Sequence, residues 1–119
     1  MANTAFKIVP EPAVEGTPSR LIPKACFTGD DTTEVTYSFY ETPDGATAAG
    51  VWECAPCKME IESYPVNEQM TIIAGKLVLT NEDGVEETFG PGEVVFASKG
   101  SKFTWHITEH LKKFYMTSA

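Results

Sequence analysis

Histidine is scarce in this chain, two residues in 119, and positive charge is thin, with nine lysines and arginines against seventeen aspartates and glutamates. Imidazole is the usual transition-metal ligand and acid–base group, so a site built on it has only His106 and His110 to draw on. The formal net charge of −8 sets the chain against a phosphate backbone, and no nucleic acid is expected as a partner. Cysteines number three, an odd count with no export signal beside it, which argues for reduced thiols rather than a disulfide framework. No apolar run approaches the roughly 20 residues that span a bilayer. The segment Met1 to Pro10 lacks the basic start and long apolar region of a secretory signal. The expectation is a cytoplasmic protein without a membrane partner. Helical periodicity is missing too, since no segment of ten or more residues repeats its apolar positions with a period near 3.6.

The chain has instead the marks of an all-β domain. Apolar residues make up 42% of it, enough for one globular core. Residues 1–33 are rich in proline, threonine and acidic groups, with one short apolar patch at Leu21-Ile22, and are expected to form an arm draped over the domain or over a partner. From Glu34 the pattern changes. Val35, Tyr37 and Phe39 alternate with Thr36, Ser38 and Tyr40, the period of a half-buried strand. Further strands are predicted over Thr47 to Glu53, Lys58 to Tyr64, Val85 to Phe89 and Val94 to Ala97, and two more over Lys102 to Thr108 and Lys112 to Met116. Turn signals recur about every 8 to 12 residues, as in a sandwich or barrel. The stretch that organises the rest is Asn67 to Thr80, two apolar runs joined through Gly75 and closed by the hairpin signal Asn81-Glu82-Asp83-Gly84.

Glu68 stands just before that apolar stretch. A carboxylate entering an interior there must meet a metal, a cation or hydrogen-bond donors. With Tyr64 and Glu62 it would form a hard oxygen set suited to Mn²⁺, Mg²⁺ or Ca²⁺; the competing reading makes Glu62 a solvated residue and Tyr64 packing. In Phe103-Thr104-Trp105-His106-Ile107 the alternation sends Phe103, Trp105 and Ile107 to one face and His106 outward. His110 falls in an expected connection between the last two strands. Cys54-Ala55-Pro56-Cys57 has the spacing of a redox couple or half a zinc site. A redox motif needs a helix behind its first thiol, however, and zinc needs two more ligands, of which Cys26 is a distant candidate. The plainer reading is a loop.

Several of these pieces together resemble the paired motifs of the cupin superfamily: Glu68 with Gly75, Phe89-Gly90-Pro91-Gly92-Glu93, and Lys99-Gly100. Within that superfamily the segments Thr42-Pro43-Asp44-Gly45, Ala49 to Pro56, Tyr64, Asn67-Glu68, Thr88 to Glu93, Thr104-Trp105 and Lys112-Lys113 are similar to the ureidoglycine aminohydrolase-type branch. The resemblance implies a jelly-roll β-barrel over residues 34–119, holding a small-molecule ligand or a metal in its mouth. Cupin enzymes generally supply three histidines and a glutamate. Here Glu62, Tyr64 and Phe103 stand at the histidine positions, and only the glutamate, Glu68, is kept. The resemblance therefore implies a ligand pocket of Glu68, Tyr64, Phe103 and Trp105, with Glu68 and Glu62 as the metal candidates. The cofactor expected is a weakly bound divalent ion, Mn²⁺, Zn²⁺ or Ni²⁺, or none, and the assembly a homodimer. Three functions are consistent with this pattern: a binding protein or enzyme for a small nitrogen-containing or carboxylate metabolite, a non-catalytic scaffold, and a thiol redox or zinc protein.

Overall fold

Two strands too long to lie in one flat sheet dictate the architecture. The computed structural model describes residues 5–13, 15–18 and 34–119. Its strands are β1 (Thr17–Pro18), β2 (Glu34–Glu41), β3 (Thr47–Cys54), β4 (Cys57–Ile61), β5 (Asn67–Asn81), β6 (Glu86–Phe89), β7 (Val94–Ala97) and β8 (Phe103–Ser118). Every pairing is antiparallel. The first half of β5 and the second half of β8 pair with each other and continue outward into β7 on one side and into β3, β2 and β1 on the other. The remaining halves form a second layer with β6 and β4. This is an antiparallel jelly-roll barrel, the fold class expected from the sequence.

Both long strands bend where they cross, between Ile72 and Leu77 on β5, and the register shifts three times there. Gly75 makes the bend possible. Its φ is +90°, and a Cβ built on it would lie 2.1 Å from the carbonyl oxygen of His110, so no other residue fits without moving the β8 backbone. The strands predicted over Lys102 to Thr108 and Lys112 to Met116 are therefore one strand. The polar run Thr108-Glu109-His110 does not connect two elements; it is the solvent-facing bend of β8, where His110 Nε2 meets Glu53 Oε1 at 3.0 Å.

Alternation then decides what fills the barrel. Met59 and Ile61 on β4, Met70 and Ile72 on β5, Val95 on β7, and Trp105, Ile107 and Leu111 on β8 form one buried cluster with Trp52, Cys54 and Cys57. On β2 the apolar half of the pattern does not face this core. Thr36 is opposite Trp52 in register, so Thr36 and Ser38 look inward, while Tyr37 is opposite Val51 on the outer face. Val51 is nevertheless fully buried, outside the core cluster. The N-terminal segment lies on this face: the Phe6 ring sits 6.4 Å from that of Tyr40, and Lys112 Nζ donates to Glu11 Oε1 at 2.7 Å. The apolar patch Leu21-Ile22 and Cys26 fall outside the described residues.

Candidate functional site

Glu68, Lys113 and Tyr64 project into the interior, into a cavity that Glu34, Thr36 and Ser38 of β2 also line. Glu68 is the second residue of β5 and precedes Met70 and Ile72 on the inner face, so it is carried inside with them and is only 2% exposed. Lys113 lies opposite Trp52 and Ile72 in the ladders, two residues on from the fully buried Leu111, and is 4% exposed. Tyr64 follows the end of β4. Its backbone N–H donates to the Ser101 carbonyl and its carbonyl accepts from the Gly100 N–H, which fixes the ring pointing inward.

The three side chains satisfy one another. Tyr64 OH donates to Glu68 Oε1 at 2.6 Å, and Lys113 Nζ donates to Glu68 Oε2 at 2.5 Å and lies 3.5 Å from Met70 Sδ. The ammonium also stands 4.7 Å from the centroids of both the Trp52 and Trp105 rings, which meet edge to face at 84°. A desolvated cation over an indole face gains up to about 2 kcal/mol. The pair of rings thus helps offset the cost of burying charge that the carboxylate alone would have to meet. Burial, and then the negative charge of Glu68 and the hydrogen bond to it, hold the Tyr64 phenol well above its ordinary pKa, so it remains a neutral donor. Tyr115 is raised for the same leading reason, burial, with the Glu68 and Glu41 carboxylates adding to it.

This trio forms the floor of a cavity of about 410 Å³, whose walls include Trp52, Trp105 and Tyr115 and whose rim carries Thr17 and Pro18 of β1. Room for Tyr115 comes from its ladder partner Gly50, where a Cβ would lie 3.0 Å from the phenol oxygen and 2.2 Å from the Tyr37 carbonyl. The Trp105 indole N–H is buried and finds no acceptor among the described residues.

Of the predicted site residues, the structure gathers Glu68, Tyr64 and Trp105 around this cavity. Phe103 stands one layer back, its ring 5.2 Å from that of Tyr64, supporting the phenol rather than lining the cavity. Glu62 is not brought to Glu68. β4 ends at Ile61, the chain bends over Glu62 and Ser63, and the Glu62 side chain is 82% exposed against Lys102 Nζ at 3.3 Å. His106 faces solvent, on the opposite side of β8 from Trp105. Cys54 and Cys57 are buried with sulfurs 3.6 Å apart and no disulfide between them, at the corner where the chain passes from one layer to the other. Lys113 is the member that sequence reasoning missed. The signal was there in its spacing, since Leu111, Lys113 and Tyr115 share one strand parity.

The geometry can be compared with known proteins. The EutQ-like cupin domain matches residues 41–115, and the chain belongs to that family. Among solved structures, a DUF861-family protein of unknown function from Pseudomonas syringae pv. tomato is 25% identical, with a TM-score of 0.78 over 93% of this chain and 46% of that one. The chain thus spans under half the length of that relative. The EutQ protein of Clostridium difficile shares 20% identity and a TM-score of 0.62 over 73% of this chain and 68% of its own. The polyketide cyclase RemF of Streptomyces resistomycificus shares the fold at 16% identity, with a TM-score of 0.67 over 96% of this chain and 80% of its own. No curated protein matches. The likeness to the ureidoglycine aminohydrolase-type branch stays a likeness of motifs.

Cupins often bind metals, and the donors of this cavity bear on whether it holds one. They do not fit. Among the described residues no group of three or more histidine, cysteine, aspartate or glutamate side chains is placed to hold a metal. Each oxygen of Glu68 already accepts from the protein's own phenol or ammonium. Among the described residues, too, no helix is long and apolar enough to cross a membrane.

Proposed function

We propose that this protein is a small-molecule-binding cupin of the cytoplasm, whose barrel takes a compact metabolite bearing nitrogen or a carboxylate. The observation that carries the reading is the buried Tyr64–Glu68–Lys113 trio at the floor of an aromatic cavity. The cavity volume lies in the range of small-ligand sites, roughly 300 to 1,000 Å³. A polar group of the metabolite would meet the Trp105 indole N–H and the Lys113 ammonium while a flat portion packs on the indole faces. If the protein is an enzyme, Lys113 is the group placed to donate a proton to the ligand, with Glu68 holding it in position. A calorimetric screen of compact amines, amides and carboxylates tests the proposal. The two tryptophans of the chain both line the cavity, so a true ligand should shift their fluorescence as well as release heat. Ligands that bind without perturbing either indole would overturn it.

A second reading, a scaffold that works as a homodimer, is favoured by one surface. Phe96 is 62% exposed and Met116 52%, and both lie opposite Gln69 in register, with Ala49 and Tyr40 continuing the row. A row across five adjacent strands, apolar except at Gln69, suits burial against a second copy. Phe96→Glu together with Met116→Glu should convert a dimer to monomer in sedimentation. A parent protein that sediments as a monomer removes this reading.

A further inference from the structure

The seat around Lys113 is built for a cation in every direction. A carboxylate oxygen, two indole faces and a thioether surround the ammonium, and the indoles come from different layers, Trp52 from β3 and Trp105 from the β4-paired half of β8. The nitrogen therefore sits between the two layers, beside Glu68, the one residue kept from the ligand set that cupin enzymes generally supply. A divalent ion brought to Glu68 would compete with the phenol and the ammonium already bonded to its two oxygens and would stand beside an ammonium of like charge. Glu34 of β2 is a second carboxylate lining the cavity, but among the described residues no group of three or more histidine, cysteine, aspartate or glutamate side chains is placed to complete the coordination, since Glu62 is on the surface and both histidines are exposed.

We infer that Lys113 is the resident cation of this barrel, occupying from within the chain the position beside Glu68 that a metal would need. Glu68, Trp52, Trp105 and Met70 then constitute an alkylammonium site that the protein fills with its own side chain. The inference does not depend on which metabolite the cavity holds. It places the Lys113 nitrogen at the cavity floor as a hydrogen-bond donor to a ligand oxygen, with no requirement for a dissociable ion.

The site can be emptied and refilled. Lys113→Ala removes the three distal methylenes and the nitrogen, the outline of n-propylammonium. Added n-propylammonium should raise the melting temperature of this variant saturably and shift its tryptophan emission towards that of the parent. The neutral propan-1-ol should do neither, and the amine should have no such effect on the parent. A folded Lys113→Ala protein that responds equally to amine and alcohol overturns the inference. Should that variant not fold, Lys113→Met serves for the emptied charge, and the parent carries the decisive measurement. Tag-free parent titrated with Mn²⁺, Zn²⁺ and Ni²⁺ should take up no stoichiometric ion, and chelator should leave its melting temperature unchanged. Stoichiometric metal that Glu68→Gln abolishes would show that the lysine yields its place.

Discussion

Removing one member of the buried ion pair should cost far more than removing both. In Glu68→Leu the Lys113 ammonium keeps its two indoles but loses the charged acceptor at 2.5 Å, and Tyr64 loses its acceptor at 2.6 Å. Stranding a buried charge in this way costs about 3 to 5 kcal/mol. For a domain of this size, where each kcal/mol moves the midpoint by about 4 °C, a loss of about 4 kcal/mol corresponds to a fall of about 15 °C. Lys113→Met should cost a similar amount, because it leaves the Glu68 carboxylate buried with only a phenol. The double variant Glu68→Leu, Lys113→Met removes both charges into apolar volume, and such replacements are commonly neutral or stabilising. It should therefore unfold within about 1 kcal/mol of the parent plus the unmet Tyr64 hydroxyl, which costs about 1 to 3 kcal/mol. Urea denaturation followed by far-ultraviolet circular dichroism of all four proteins closes the cycle. Additive single losses would mean that shape, not charge pairing, governs the site, and would refute the reasoning.

Three further outcomes are expected. Tyr64 has its folded pKa raised by burial and then by Glu68, so its contribution is complete below the ordinary tyrosine value of about 10 and is lost as pH rises above it; Tyr64→Phe should flatten this alkaline decline in urea titrations, and an unchanged slope would assign it elsewhere. Gly75→Ala puts a Cβ 2.1 Å from the His110 carbonyl at a φ of +90° and should destabilise by about 3 kcal/mol or more, whereas a melting temperature near the parent's would show that the crossing yields. Glu53 is pushed up by burial, but hydrogen bonds from His110 and Tyr37 and the Lys112 charge outweigh that and hold it below the usual carboxylate range. Its stabilising share is present above the ordinary glutamate pKa and lost as pH falls through the lowered value, and His110→Ala should move the Glu53 titration upward in side-chain carboxyl NMR.

Much of the barrel was legible in the sequence, for reasons visible in particular strands. Met59 and Ile61 alternate cleanly with Lys58 and Glu60 because one side of β4 meets only core, whereas Val94 to Ala97 is apolar throughout and buries only Val95 and Ala97. Glu68 announced its depth by sharing parity with Met70 and Ile72. Where reading failed, a feature remote in sequence had intervened. The polar Thr108-Glu109-His110 looks like a loop until Gly75 is known to cross it and bend both strands outward. On β2 the apolar half faces the N-terminal segment and the polar half faces the cavity, so alternation gave the strand without its orientation. Glu62 and Tyr64 would share a face on a continuous strand, but β4 stops at Ile61, before both, and the chain bends over Glu62 and Ser63. Lys113 was hidden by its neighbour: Lys112-Lys113 counted only as a motif of the resembled branch, with no place given to either side chain, and the partners of the two lysines distinguish them.

The double use of β8 also bears on how the domain is assembled in time. β8 pairs with β3 and β5 along one half and with β4 and β5 along the other, and every strand it joins precedes it. Until it docks, the two layers are joined by β5 and by the β3–β4, β4–β5 and β6–β7 connections, and Glu68 has no ammonium to meet. Such a chain must close long loops before its contacts repay the lost entropy. Folding should thus be slow and concerted, with the β8 pairing as its committing step. Nascent domains lacking this strand would present open edges on β3, β4 and β5, the surfaces most prone to pair with another chain.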